Sequence, residues 1–278
     1  MRFAKAHGLG NDFILVAEDL APAELSPWAV RLCDRHRGIG GDGVVLHSRT
    51  PDGVSFRLVN ADGLAGEISG NGLRCLAALA VRNGWAKARH VVSTVVGKKG
   101  VEVSALSGSR YRVETDLGPP ALGSADVPVA LDPPRASVVD HPLEAAGRTV
   151  RVTATSMGNP HCALFLDEPA DDALLRSLGP ALEFHPFFPR RTNVEFIQII
   201  SRVEIRQRTW ERGAGETLAC GTGSSAVTAA CVLNGLTEKK ILNHLSGGDL
   251  EMEWADDGSI YMTGPAVEVF SGEIENQY

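Results

Sequence analysis

The property that most limits what this chain can fold into is that it repeats itself. Ser69-Gly70-Asn71-Gly72-Leu73-Arg74-Cys75 opens a stretch that closes at Asn83-Gly84. Cys220-Gly221-Thr222-Gly223-Ser224-Ser225-Ala226 opens another that closes at Asn234-Gly235. The offset is 151 throughout, and six of the sixteen aligned positions are identical: Gly70/Gly221, Gly72/Gly223, Ala78/Ala229, Val81/Val232, Asn83/Asn234 and Gly84/Gly235. Gly10-Asn11 returns as Gly158-Asn159, at an offset of 148. A strand–turn–strand pattern ends at Gly118-Pro119 and again at Gly264-Pro265. Three echoes in one order at nearly one offset predict two homologous halves, joined near the Pro-rich stretch from Gly118 to Pro134. The expected division is 1–118, with 265–278 packing back on it, and 119–264.

Each half carries the same coarse plan. Phe56-Arg57-Leu58-Val59 and Asn193-Val194-Glu195-Phe196-Ile197 read as strands. Leu73, Leu76, Ala77, Ala80 and Val81 lie at helical spacing, with Asn83-Gly84 as the stop. Val227, Ala230 and Cys231 repeat this before Asn234-Gly235. Both helices are rich in small residues and nearly uncharged, which predicts burial. The expected class is mixed α/β (α+β): two pseudo-symmetric domains, each a mixed, mostly antiparallel sheet around a central buried helix.

Composition narrows the partners. The 278 residues are 44% hydrophobic and 22% charged, which is globular rather than disordered. Apolar runs are only a few residues long, well short of the ~18 a membrane helix needs. Met1 to Phe13 holds no apolar core for a signal peptide, so a cytoplasmic location is expected. The net charge of −7 argues against a phosphate-backbone partner, and no nucleic acid or membrane partner is expected. A small acidic ligand needs only one local Arg and is compatible with that charge. Five Cys without a C-x-x-C pair argue against a disulfide framework or a structural zinc, so each thiol is a core filler or a reagent.

A Gly-rich turn opening a buried helix has a chemical use. The first helix N–H groups lack internal partners, and the helix dipole adds positive potential there. Glycine lets a ligand approach that backbone, which suits a carboxylate. Two such turns, one per half, offer to hold one carboxylate from both sides. Cys220 precedes one turn, where a helix N-terminus is expected to lower a thiol pKa towards neutrality and supply a base. Ser69 holds the matching position. Against this stands the common case, in which a Cys before a helix is a core residue or a cap.

At this point the chain resembles the diaminopimelate epimerase family over essentially its whole length. The resemblance rests on His7-Gly8-Leu9-Gly10-Asn11-Asp12-Phe13, Arg37-Gly38-Ile39-Gly40-Gly41-Asp42-Gly43, Asn60-Ala61-Asp62-Gly63, Gly70-Asn71-Gly72-Leu73-Arg74-Cys75, Met157-Gly158-Asn159-Pro160-His161, and Glu211-Arg212-Gly213-Ala214-Gly215-Glu216-Thr217 running on to Cys220-Gly221-Thr222-Gly223. The family interconverts LL- and meso-diaminopimelate for lysine and peptidoglycan synthesis, without pyridoxal phosphate or metal. One Cys removes the α-proton and an opposite Cys returns a proton on the other face. The resemblance implies an isomerase with no cofactor, a small-molecule substrate and a homodimer. It implies Cys220 as one acid/base, and Gly70, Asn71, Gly221 and Thr222 around the reacting carboxylate. Asn11, Asn60, Asn159, Asn193, Glu211 and Arg212 match the substrate-binding positions. Glu211 would support Cys220, and His161 the opposite base. Arg suits a carboxylate because its guanidinium is a rigid donor fork, and Asn can donate to carboxylate or accept from ammonium.

The family pattern has Cys where this chain has Ser69. A hydroxyl is far less acidic than a thiol and needs an adjacent base. Helix-dipole effects of ~1–2 kcal/mol correspond to about one pKa unit, which does not close that gap. Three accounts of Ser69 stand open: an introduced change that disarms an ordinary epimerase, a weak relay with His161, and a paralogue with changed chemistry. In related proline-racemase-like enzymes loss of one thiol accompanies one-sided chemistry such as dehydration, which keeps a related racemase or lyase of the same fold as the alternative. A silent amino-acid-binding paralogue is the non-enzyme reading.

Other motifs fail on context. Gly38-Ile39-Gly40-Gly41-Asp42-Gly43 fits G-x-G-x-x-G, but a dinucleotide fingerprint follows a strand and opens a helix. Here a polar helix end precedes it and Val44-Val45-Leu46 reads as a strand after it, so NAD is rejected. His161-Cys162 is a poor metal pair because neighbours point apart.

Overall fold

The computed structural model describes residues 1–275; the last three residues of the 265–278 expectation lie outside the described residues. The chain divides into two compact units, Met1–Asp116 with the chain from Thr263 onward, and Leu117–Met262. Among the described residues, no helix is long and apolar enough to cross a membrane.

The first unit winds its strands around one helix. Arg2–Gly8, Asn11–Ala17, Gly43–Thr50, Gly53–Asn60, Arg89–Thr94, Gly97–Ser107 and Arg110–Asp116 follow in order, and the far end of Ile260–Glu273 pairs with Arg2–Gly8. Most neighbours are antiparallel, but Asn11–Ala17 with Gly43–Thr50, and Gly53–Asn60 with Arg89–Thr94, are parallel. Asn11–Ala17 and Gly43–Thr50 are apolar on both faces because both are covered. Phe13, Leu15 and Val45 face the central helix, whereas Ile14, Val16, Val44 and Leu46 face an outer helix. That outer helix, α1, spans Leu25–Cys33 and buries Trp28, Ala29, Leu32 and Cys33. The central helix, α2, spans Gly70–Arg82 and is buried from Gly70 to Ala80.

The second unit repeats the plan. Val138–Ala145, Arg148–Ser156, Pro160–Leu166, Asn193–Ser201, Glu204–Glu211, Lys240–Leu245 and Gly248–Trp254 form its sheet. Here too two pairings are parallel, Pro160–Leu166 with Asn193–Ser201 and Glu204–Glu211 with Lys240–Leu245. The outer helix α3 spans Asp172–Glu183 and packs Leu175, Leu178 and Leu182 with Val194 and Phe196. The central helix α4 spans Gly221–Leu233, with Val227, Ala229, Ala230 and Cys231 fully buried.

The repeat read from sequence is therefore geometric. Helices α2 and α4 are both 13 residues long and both stop at an Asn cap, followed by glycines with φ +66° and +68° at Gly84 and Gly235. Gly10 and Gly158 both have positive φ. The third echo differs. Gly118 lies beyond a strand, but Gly264-Pro265 lies within Ile260–Glu273, which continues from the second unit into the first. Pro265 has no N–H to give, and its carbonyl accepts from the Arg74 guanidinium instead. The G-x-G-x-x-G segment follows α1 and precedes a strand, the reverse of a nucleotide turn.

Candidate active site

The two helix starts share one local construction. Ser69 caps α2 with φ −125° and ψ 119°, and its hydroxyl accepts from the Gly72 N–H at 3.1 Å. Cys220 caps α4 with φ −119° and ψ 111°, and its sulfur accepts from the Gly223 N–H at 3.3 Å. The cap residues' carbonyls start both helical ladders, at Leu73 and Ser224. The amides of Gly70 and Gly221, at the first helical positions, have no partner inside their own helices. This arrangement can bind an anion at each helix start, with a hydroxyl beside one and a thiol beside the other.

In the first unit, Asn11 opens the strand beside α2. Its Nδ2 donates to Asp42 Oδ2 at 2.6 Å, and its Oδ1 accepts from Asn71 Nδ2 at 3.1 Å. Asn60 ends Gly53–Asn60, where its backbone N–H and C=O close a tight turn with Leu64 and Gly63. The structure thus gathers Asn11, Ser69, Gly70 and Asn71 at the start of α2, with Asn60 at the end of a neighbouring strand.

In the second unit, a polar row runs towards Cys220. Glu195 Oε1 faces His161 Nδ1 at 2.7 Å, and His161 Nε2 faces Asn159 Oδ1 at 3.0 Å. Asn159 Nδ2 donates to Thr222 Oγ1 at 3.4 Å, and that hydroxyl lies 3.6 Å from the Cys220 sulfur. His161 and Glu195 are almost fully buried, with side chains 1% and 0% exposed. Sequence reasoning missed Glu195. The available signal was a carboxylate in an otherwise apolar run. Strand alternation sends Val194 and Phe196 to α3 and leaves Glu195 on the α4 side. A Cβ at Gly223 would lie 2.9 Å from Glu195 Oε1 and 3.2 Å from the Cys220 sulfur, so that glycine admits both groups. Burial raises the Glu195 carboxyl, and its second oxygen is buried without a hydrogen-bond partner among the described residues.

These surroundings correct the expectation of a resting thiolate. Burial, then the charges of Glu211 and Glu195, push the Cys220 thiol well above its usual range, against the smaller help of Thr222 and the Gly223 N–H. A helix start offsets only ~1–2 kcal/mol, and removal from water with two carboxylates nearby outweighs it. At neutral pH Cys220 rests as a thiol.

The Glu211–Arg212 turn is held from below. Asn193 is buried, with Oδ1 accepting from the Arg212 backbone N–H at 3.0 Å and Nδ2 donating to the Pro160 carbonyl at 2.9 Å. Glu183, a second residue missed in sequence, accepts from the Gly213 N–H and the Trp210 indole. Thr217 donates to Glu211 Oε1 at 2.6 Å. The Arg212 side chain is exposed, with Nη1 on the Arg190 carbonyl at 3.2 Å. Among the described residues, no cluster of three His, Cys, Asp or Glu side chains is arranged to hold a metal.

Comparison with known proteins extends this geometry. A family profile described as diaminopimelate epimerase matches residues 3–122 and 153–269. A diaminopimelate epimerase of Pelotomaculum thermopropionicum is 47% identical over 278 residues, covering 98% of each chain. One from Heliobacterium modesticaldum is 46% identical, covering 99% of each. Among solved structures, a predicted epimerase from Pseudomonas aeruginosa superposes with a TM-score of 0.71 at 17% identity, covering 99% of each chain. A hydroxyproline epimerase from Agrobacterium vitis gives 0.67 at 15% identity, covering 99% of this chain and 90% of that one. At such identities these two speak for the fold, which is the mixed, two-domain α/β architecture read from the repeat. With matched helix starts in both units and near-full-length identity to curated relatives, this chain belongs to the diaminopimelate epimerase family, a family of isomerases that work without pyridoxal phosphate.

Proposed function

We propose that this chain binds diaminopimelate and works at its α-carbon by proton removal and return, as an isomerase on the route to lysine and peptidoglycan. The carrying observation is the pair of equivalent helix starts, capped by Ser69 and Cys220 within otherwise matched turns. Cys220 is one acid/base, and Ser69 holds the position of the other. The amides at Gly70, Asn71, Gly221 and Thr222 take the reacting carboxylate. Asn11, Asn60, Asn159, Asn193, Glu211 and Arg212 bind the rest of the substrate, and Asn193 also holds the Arg212 backbone. A thiol at rest must lose its proton before it acts as a base. Glu211, whose charge weighs more on Cys220 than that of Glu195, is the acceptor we assign. His161 supports the opposite base. A homodimer in the cytoplasm completes the reading, and sedimentation at twice 29.5 kDa tests the dimer.

Ser69 favours a one-sided version of this chemistry. Its hydroxyl does not ionise near neutrality, and among the described residues its hydrogen-bond partner is the Gly72 backbone N–H. Net epimerisation is then small, while α-proton exchange on the Cys220 face persists. The test is solvent-deuterium incorporation into LL- and meso-diaminopimelate, with calorimetry for binding. Exchange confined to one face supports the reading. Equal, rapid exchange at both faces refutes the inertness of Ser69. Binding without any exchange selects a silent amino-acid binder.

A further inference from the structure

Candidate ligand groups Asn11 and Asn71 belong to a single hydrogen-bonded row whose two ends are ions of opposite kind. Asp42 closes one end. Its carboxylate has only acceptors, and it receives Asn11 Nδ2 at 2.6 Å. Arg74 closes the other. Its guanidinium has only donors, and its Nη2 donates to Asn71 Oδ1. Between them Asn71 Nδ2 donates to Asn11 Oδ1 at 3.1 Å. An amide is a two-ended group, oxygen at one end and nitrogen at the other. With an acceptor-only neighbour at one end of the row and a donor-only neighbour at the other, only one direction of both amides satisfies the three contacts of the row.

Both ends are themselves held. Asp42 receives the Asp12 backbone N–H at 3.0 Å and Arg35 Nη2 at 2.8 Å, so its carboxylate does not swing away. Arg74 is fully buried, with Nη1 on the Gly70 carbonyl at 3.3 Å and Nε on the Pro265 carbonyl at 3.2 Å. Burial lowers its pKa to about 10, which leaves it a cation at neutral pH. A Cβ at Gly8 would lie 2.9 Å from Arg74 Nη2 and 3.3 Å from Asn71 Cβ, so the first strand is trimmed to glycine where it passes the row.

We propose that Asp42 and Arg74 are positioning residues, which act from the two ends of this row to fix Asn11 and Asn71 with their nitrogen ends turned one way. The consequence is a chemical preference. One N–H of Asn11 is committed to Asp42 and one lone pair of its oxygen to Asn71. Its second N–H makes no hydrogen bond with the described residues, so this side chain offers a donor, suited to a carboxylate oxygen rather than an ammonium group. This preference rests on the reading of Asn11 as a ligand-binding group.

The test uses the full chain and meso-diaminopimelate as the probe. Asp42 is a half-exposed residue, and Asp42→Ala removes the acceptor-only end. Affinity measured by calorimetry should fall about tenfold or more, with little change in melting temperature. Asp42→Asn is the conservative variant: Asn11 Nδ2 and the Asp12 N–H both meet Asp42 Oδ2, so two donors hold the new amide's oxygen there and affinity should stay near the parent's. Asn11→Asp sets two carboxylates against each other and should lose both affinity and stability. A merely structural role does not separate Asp42→Ala from Asp42→Asn in affinity at equal melting temperature. The side-chain amide protons of Asn11, assigned by their loss in Asn11→Asp, report the row without ligand. One should lie downfield in the parent chain and in Asp42→Asn, and return upfield in Asp42→Ala. An Asn11 resonance unmoved in Asp42→Ala, or unchanged affinity of that variant where the parent chain binds, overturns the proposal. If the parent chain binds no diaminopimelate, the functional reading falls, and the resonance comparison still decides whether Asp42 orients the row.

Discussion

The two helix starts have nearly the same backbone and quite different surroundings. At the Ser69 end, a Cβ on Gly72 would meet Phe13, Phe56 and Val45, all at 3.4 Å. At the Cys220 end, the matching glycine faces a buried carboxylate and the sulfur itself. Duplication kept the cap, the 13-residue helix and the Asn-Gly stop. The chemistry diverged through whatever the neighbouring strands place opposite. A helix start alone therefore does not make a reactive thiol, because the wall behind it decides the charge state.

The largest expected effect tests the Ser69 end directly. Ser69→Cys should raise net LL-to-meso conversion by about 10²–10⁴-fold, the range for one positioned acid/base group. Conversion measured with a coupled assay that stays flat would remove position 69 from the reaction. A smaller contrast concerns packing. Gly223→Ala forces its methyl against Glu195 and Cys220 and should destabilise the chain by about 1–3 kcal/mol. Gly72→Ala meets ordinary van der Waals contacts, and the better helix propensity of Ala should bring the net change below about 1 kcal/mol. Urea midpoints compare the two, and equal losses would erase the distinction.

The smallest effect probes electrostatics. The raised Cys220 thiol has two carboxylates among its causes, so removing one charge must lower it. Glu195→Gln should move the pH profile of Cys220 alkylation down by about one pH unit, since the thiolate is the reactive form. Peptide-resolved mass spectrometry reads that site apart from the other four buried cysteines. A profile that stays in place would mean that Glu195 is neutral or too well compensated by His161 to matter.

Much of the fold was legible because it depends on periodicities. The spacing of Leu73, Leu76, Ala77 and Ala80, with Asn83-Gly84 as a stop, leads to α2 as observed. The site was legible in its motifs and obscure in its supports. Asn11, Asn159 and Cys220 stand in the repeated motifs, and the structure gives each a defined set of partners. Asp42 and Arg74 stood in motif segments too, yet the row between them runs through a contact across about sixty residues of chain, which no local spacing encodes. Glu195 stood as one polar letter in a run read as a strand, and Glu183 stood in no motif at all. Asn193 matched a substrate-binding position, and the structure shows it also tied to the Arg212 backbone and the Pro160 carbonyl.

By itself the sequence determined the duplication, the two capped helices, the strands that enclose them and the hydroxyl-for-thiol difference at matched positions. These follow from local propensity, alternation and turn chemistry, which act over a few residues. Only the tertiary structure decided that Cys220 is buried beside two carboxylates that raise its thiol, that Asn193 holds the Arg212 backbone, and that a carboxylate and a guanidinium close a row through two amides. Each of those depends on burial and on which atoms meet across the sheet, and both are set when the chain closes on itself.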